Sequence, residues 1–226
     1  MRKFETLPEP FQCDEVRQYY ELLQKKTASR VIKRIFDIIV SLVMLVFLII
    51  PIIVIALIVR FGSPGRAFFR QERVTKYGKH FYIFKFRTMV ENAETLGAQV
   101  TTDSDDRVTS IGRFLRKYRL DELPQVFNVL GGSMSFVGTR PEVPGYVDRY
   151  EPEYYATLLL PAGITSLASI MYKDEEKLLS SAENADGVYL KSVLPEKMKY
   201  NLEYTKNFSF FGDIKLMLKT VREVIS

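Results

Sequence analysis

This chain has almost none of the residue types on which most hydrolytic and metal chemistry is built. Its 226 residues include one cysteine, Cys13, and one histidine, His80. A single cysteine excludes an intramolecular disulfide and any thiolate metal cluster. A single histidine excludes zinc sites built on several imidazoles, and a Ser-His-Asp mechanism would have to run through His80. Acid–base and nucleophilic work then falls to carboxylates. The lack of disulfides fits a reducing, cytoplasmic environment. There is no internal repeat and no low-complexity tract.

Charge is nearly balanced overall, with 32 Lys and Arg against 27 Asp and Glu. Its distribution is not balanced. Between Arg60 and Arg87 there are eight basic residues and one acid, Glu72. A second basic run holds Arg113, Arg116, Lys117 and Arg119. Local positive charge suits an anionic leaflet, phosphorylated ligands or nucleic acid. No run interleaves basic residues with exposed aromatics, which argues against nucleic acid as the partner.

Ile35 to Val59 is almost uninterrupted apolar sequence. At 1.5 Å per residue it would reach about 37 Å, more than the roughly 30 Å hydrocarbon core of a bilayer. Length alone therefore reads as one spanning helix. Pro51 opposes that reading, because it removes a backbone hydrogen bond and clashes with the preceding turn. So do the flanks: Lys33 and Arg34 precede the run, and Arg60, Arg66, Arg70 and Arg73 follow it. Positive charge marks the cytoplasmic side of a membrane helix, and here it marks both ends. A helix that enters, bends at Pro51 and leaves by the same face satisfies both observations. Asp37 is expected to pair with Lys33 or Arg34 at helical spacing and to anchor the segment at the headgroups.

Beyond this segment, Ala67–Val74 and Phe81–Met89 predict a β-hairpin around Tyr77-Gly78. Tyr82, Phe84 and Phe86 share one face of the second strand, and Lys85 and Arg87 share the other, as solvated charges or as a phosphate-facing pair. The polar stretch 91–106 predicts a loop. Within it, Asp103-Ser104-Asp105 matches the Asp-x-Asp metal motif of common glycosyltransferases, a triplet that also arises by chance. Val108–Leu120 predicts an amphipathic helix with Ile111, Phe114, Leu115 and Tyr118 on one side. Pro124–Leu130 predicts a helix ended by Gly131-Gly132. A C-terminal stripe of Ile214, Met217, Leu218 and Val221 is expected to face the core.

The adjacent carboxylates Asp121 and Glu122 fall at the junction before Pro124, just after the basic run. Cations nearby favour the ionised form. An ionised pair can hold Mg²⁺, and a carboxylate can attack phosphorus. Capping of the next helix is the structural alternative.

Several long motifs now combine. They are Lys33-Arg34-Ile35-Phe36-Asp37, Phe84-Lys85-Phe86-Arg87-Thr88-Met89, Leu120-Asp121-Glu122-Leu123-Pro124-Gln125 through Leu130, and Met134-Ser135-Phe136-Val137-Gly138-Thr139-Arg140-Pro141-Glu142. With the apolar run around Pro51 they resemble the bacterial sugar transferases, the small monotopic phosphoglycosyl transferases, from about residue 30 to the C-terminus. The resemblance implies an α+β, mostly helical fold. It would comprise an N-terminal extension (1–30), a re-entrant membrane helix hairpin broken at Pro51 (31–60), and a cytoplasmic catalytic domain (61–226) with a small β-hairpin and interfacial helices. It implies transfer of a sugar 1-phosphate from a UDP-sugar to a polyprenyl phosphate in the bacterial inner membrane, releasing UMP.

In that resemblance Asp121 is the nucleophile, and Glu122 helps hold Mg²⁺ with it or assists the acceptor. Arg116 neutralises phosphate, Arg140 contacts the nucleotide, and Lys85 and Arg87 are further phosphate ligands. Membrane lipids are partners, nucleic acid is not, and assembly into a homo-oligomer stays open. Ile50 stands where Ser is usual before the hairpin proline, and Thr139 where Pro is usual. Leu160-Pro161-Ala162-Gly163 and Met171-Tyr172-Lys173 also depart from the pattern. Two alternatives remain. A membrane-tethered lipid- or nucleic-acid-binding protein would not turn over, and an ordinary glycosyltransferase would release UDP.

Overall fold

The computed structural model describes residues 1–93, 105–172 and 185–225. After helix α1 (Asp14–Gln24), the long helix α2 (Thr27–Gly62) organises the rest. The chain stays helical through Pro51, so the expected break into two helices is not there. Proline forfeits one hydrogen bond, but helix propagates on both sides of it. The adjacent turns are also held by packing. Leu48, Ile52 and Ile55 join a small core with Phe86, Leu115 and Val126.

One row of α2 faces protein along its whole apolar length. Asp37, Ser41, Ile52 and Val59 are buried, and Met44, Leu48 and Ile55 pack between them. Their spacing of three and four residues is one helical face. The opposite row, including Val46, Phe47, Ile50 and Ile53, is exposed.

The first turns of α2 are locked into the domain by charge. Lys33 Nζ donates to the Val137 carbonyl at 2.8 Å and to Asp213 Oδ2. Tyr204 Oη donates to the other Asp213 oxygen at 2.9 Å. Arg34 donates to the carbonyls of Val129 and Leu130 at 2.6 and 2.8 Å. Asp37 is therefore not a headgroup anchor paired within the helix. It is buried and accepts from the Phe136 amide at 3.3 Å. Local spacing offered it two cations, but each finds tertiary acceptors that the helix alone could not supply.

The predicted hairpin is present as antiparallel β1 (Phe68–Thr75) and β2 (Lys79–Phe86), with Val74 opposite His80 and Phe68 opposite Phe86. Its turn places Tyr77 in the left-handed region at φ 60°. Helices α3 (Ser110–Lys117) and α4 (Gln125–Gly131) follow, α4 ending at Gly132 with φ 84°. The apolar stripe of α3 divides. Leu115 is buried and Ile111 joins the small core, while Phe114 and Tyr118 stay exposed with rings 5.0 Å apart.

A parallel pair absent from the sequence reading joins β3 (Met134–Val137) to β4 (Ala162–Thr165). Any Cβ at Gly163 would collide with the Gly138 backbone, so both glycines are needed for this approach. Helices α5 (Leu194–Asn207) and α6 (Phe210–Ile225) complete the larger core. On α6, Leu216 and Met217 pack inward but Leu218 and Val221 are exposed, so the expected stripe is core only in part.

Residues 1–30 are not a detached extension. Phe4, Leu7, Phe11, Val16, Tyr19, Tyr20 and Leu23 are buried in the main core with Leu159 and Met198. Tyr19 Oη also donates to Glu153 at 2.7 Å. Phe11→Ala should therefore destabilise the whole protein by about 3–5 kcal/mol, the usual range for a buried Phe, in a denaturant titration in detergent. Asp213→Ala should cost a similar 3–5 kcal/mol, because it leaves Lys33 buried without its counter-ion.

Candidate active site

Glu122 is the meeting point of three separate elements. Lys85 arrives on β2, Arg140 on the extended chain after β3, and Glu122 itself sits in the 3-10 turn Leu120–Glu122 between α3 and α4. Glu122 Oε1 accepts from Lys85 Nζ at 2.8 Å and from Arg140 Nη2 at 2.7 Å. Burial alone would push the Glu122 carboxyl up. Arg140 and Lys85 outweigh it and hold the pKa well below the ordinary value. Glu122 is thus a fixed anion.

Lys85 is delivered by a side-chain staple. Asn128 of α4 accepts from the Phe84 amide at 3.0 Å and donates to the Tyr82 carbonyl at 2.8 Å. One carboxamide reads the backbone on both sides of Ile83 and sets β2 against the helix that follows the carboxylate pair. Asn128 was not singled out from sequence. A buried Asn is visible as a functional residue only when its two backbone partners are known.

Asp121 differs sharply from its neighbour. It is buried, and among the described residues its carboxylate accepts no hydrogen bond. Burial raises its pKa and the Glu122 charge adds to the rise. Lys85, Arg116 and Arg119 oppose it without cancelling it. The expectation of a cation-stabilised carboxylate pair therefore holds for Glu122 and not for Asp121. Arg119 bends the chain into the turn with φ 54°, a left-handed conformation uncommon outside glycine. The turn aims Asp121 into a groove of about 1740 Å³.

The groove is lined by Asp121 and Glu122 together with Lys85, Arg116, Arg119 and Arg140, and it reaches Met44 in the middle of α2. Arg116 Nε donates to Thr88 Oγ1 at 2.9 Å, which positions its guanidinium on the groove wall. Farther along lies a second polar cluster. Tyr189 Oη donates to Glu142 at 2.6 Å and accepts from Lys197 Nζ at 3.0 Å, and Tyr146 stacks on the Tyr189 ring at 4.9 Å. Tyr189 and Lys197 carried no signal in the sequence.

Arg87 also lines the groove, but its hydrogen bonds go to backbone away from Glu122. Its guanidinium caps the C-terminal end of α2 and the chain after it, donating to the carbonyls of Val59, Ser63 and Pro64 and to Ser63 Oγ. The orphan carbonyls at a helix end attract cations, and Arg87 is two residues too far along to reach Glu122 as Lys85 does. Of the Asp-x-Asp triplet, Asp103 and Ser104 lie outside the described residues. Asp105 is chelated by Arg107, with contacts of 2.8 and 2.6 Å to its two oxygens. Lys173 also lies outside the described residues.

Among the described residues, no three acidic, histidine or cysteine side chains gather into a metal cluster. Glu122 Oε1 is already committed to two cations. The open carboxylate is Asp121. Mg²⁺ keeps several waters and often uses one or two carboxylates plus substrate phosphates. The residues therefore fit an ion shared with a bound diphosphate, not one caged by protein alone.

Comparison with known proteins gives the family. Residues 28–226 match the family model described as Bacterial sugar transferase. A UDP-N-acetylgalactosamine-undecaprenyl-phosphate N-acetylgalactosaminephosphotransferase of Aeromonas hydrophila is 35% identical over 198 residues, which cover 86% of this chain and 44% of the relative. A UDP-glucose:undecaprenyl-phosphate glucose-1-phosphate transferase of Xanthomonas campestris is 37% identical over 176 residues, covering 76% of this chain and 34% of the relative. One of the same name from Caulobacter vibrioides is 34% identical over 198 residues, covering 86% and 70%. The chain thus spans less than half the length of the first two relatives. It belongs to the bacterial sugar transferase family.

The two carboxylates should respond oppositely to neutralisation. Asp121→Asn removes a buried charge that carries no hydrogen bond, so it should raise the melting temperature, by roughly 2–4 °C per kcal/mol relieved. Glu122→Gln should lower it, because Lys85 and Arg140 then face each other without an anion. The same variant also removes the partner that holds the Lys85 pKa up against burial. Any residual activity of Glu122→Gln should therefore lose its alkaline limb at lower pH than wild type.

Proposed function

We propose that this protein transfers a sugar 1-phosphate from a UDP-sugar to a polyprenyl phosphate, releasing UMP. The observation that carries the reading is the asymmetric pair: an unpaired buried Asp121 beside a doubly clamped Glu122, in a cation-lined groove that opens onto a membrane helix. The names of the relatives support the substrate classes.

Two anions must meet in this reaction, and each carries its own repulsion. Unit charges 4 Å apart interact by about 4 kcal/mol at an effective dielectric of 20. Lys85, Arg116 and Arg140 supply the opposing charge, which suits phosphoryl transfer, where catalysis is mainly positioning and electrostatics. Asp121 attacks the sugar-bearing phosphorus of the donor. An Oδ–P bond forms as the bond to the bridging oxygen breaks, and UMP departs with that electron pair. An oxygen of the lipid phosphate then attacks the same phosphorus and expels Asp121 as a free carboxylate. Desolvation suits Asp121 to this role, because a carboxylate with a raised pKa and no hydrogen-bond donors is the stronger nucleophile. Glu122 stays ionised and holds Lys85 and Arg140 at the phosphates. Mg²⁺, carried by Asp121 and the diphosphate, would add charge neutralisation.

The same reading places both ends of α2 on one side of the membrane, with the domain at the cytoplasmic face. A spanning helix needs about 20 residues in the hydrocarbon core. No such stretch of α2 is free of the domain, since its buried row continues from Asp37 to Val59. The exposed row would face lipid while the protein row holds the groove at headgroup depth.

Nucleotide-release assays with a panel of UDP-sugars and polyprenyl phosphate in nanodiscs should give UMP, and Asp121→Asn should abolish it. UDP as the product would reject the reading. Wild type incubated with donor alone should gain the mass of one phosphosugar on the peptide containing Asp121. Because burial raises the Asp121 pKa, kcat/KM should fall on the acid side at a pH above the ordinary aspartate range as this carboxylate protonates.

A further inference from the structure

A second cationic site lies at the other end of the hairpin from Asp121. The turn residue Tyr77 carries two cations on its ring. Arg2 lies 5.3 Å and Lys76 4.8 Å from the ring centroid. The Arg2 amide also donates to Tyr77 Oη at 3.3 Å. Arg30, in the first turn of α2, acts through space on both Lys76 and Tyr77. Its Nε is buried with no hydrogen-bond partner. Its Nη2 donates only to Thr27 Oγ1, at 2.7 Å.

Three like charges around one ring repel one another, and no carboxylate among the described residues pairs with any of them. Attraction to the ring face offsets part of that repulsion. An anion would remove it. The cluster also has a defined setting. Directly after Arg30, Val31, Ile32 and Ile35 begin the exposed apolar surface of α2. Tyr77 and Lys85 are eight residues apart along the hairpin, about 26 Å of extended strand, so the cluster is separate from the catalytic groove. The left-handed backbone at Tyr77, a bulky residue, is a further strained feature concentrated here.

We propose that Arg2, Arg30 and Lys76 form a binding site for a phosphate group, and that its position at the foot of the membrane helix points to the headgroup of an anionic lipid. The site joins the N-terminal arm, the hairpin turn and α2. It would clamp the domain to the leaflet at a point remote from the chemistry. Of its three cations, Arg2 lies outside the residues that match the family model, and Arg30 and Lys76 lie within them.

Lys76 reports on occupancy directly. Burial, with Arg30 and Arg2 adding, pushes its pKa down to about 8. A bound phosphate would raise it, and one pKa unit leaves about tenfold less free amine. The experiment follows acylation of Lys76 by an N-hydroxysuccinimide ester at neutral pH, read by peptide mass spectrometry on the full chain. It compares a non-ionic maltoside detergent, the same detergent with inorganic phosphate, and nanodiscs containing phosphatidylglycerol. About tenfold slower labelling in the anionic nanodiscs alone supports the site with a lipid source. Slowing by inorganic phosphate in detergent supports the site with a soluble source. Equal rates in all three overturn it. An Arg2→Gln/Arg30→Gln double variant should lose the slowing. If the slowing persists in that variant, the bilayer merely shields Lys76 and the site is refuted.

Discussion

The cationic wall beside Asp121 is arranged around one carboxylate oxygen that holds two cations. Glu122 Oε1 takes Lys85 from a strand and Arg140 from the chain beyond another strand, so three stretches distant in sequence are brought to one point. Without that anion the two cations would repel, and the cationic wall of the groove would have no common origin. The clamp also explains why two adjacent carboxylates are chemically different. Pairing holds one ionised and immobile, while burial without pairing leaves the other basic and available. Neighbours in sequence share a backbone turn but not an environment.

Helix α2 presents a long exposed apolar row and is part of the scaffold of the groove at once. Arg34 holds the carbonyl end of α4, whose other end follows the carboxylate turn. Lys33 and Asp37 hold β3, which leads to Arg140. Arg87 holds the far end of α2 from the strand that carries Lys85. Moving α2 relative to the domain would disturb these elements together. The position of the apolar helix is thereby coupled to the geometry of the groove through ordinary hydrogen bonds.

Where sequence reading failed, it failed through local partners. Asp37 had Lys33 and Arg34 at ideal helical spacing, yet both turn to carbonyls and a carboxylate on other elements that only the fold brings within reach. Lys85 and Arg87 looked equivalent on one strand face, but one meets Glu122 and the other a helix end. Pro51 read as a break, and packing on both sides carried the helix through it. Residues 1–24 had no readable role because their apolar side chains are spaced for two short turns and one helix. Only the shape of the core they enter gives that spacing meaning.

Composition and motif order were enough to establish the family, the apolar helix, the β-hairpin and the helix after Pro124. These are properties of local patterning and of residue types that few chemistries use together. The tertiary structure alone decided which carboxylate is clamped, which cations line the groove, that Tyr189 and Lys197 belong to it, that Asn128 braces the strand carrying Lys85, and that the N-terminal arm is core. The physical reason is that burial and charge pairing are set by contacts between residues tens of positions apart, and no local window of sequence contains both partners.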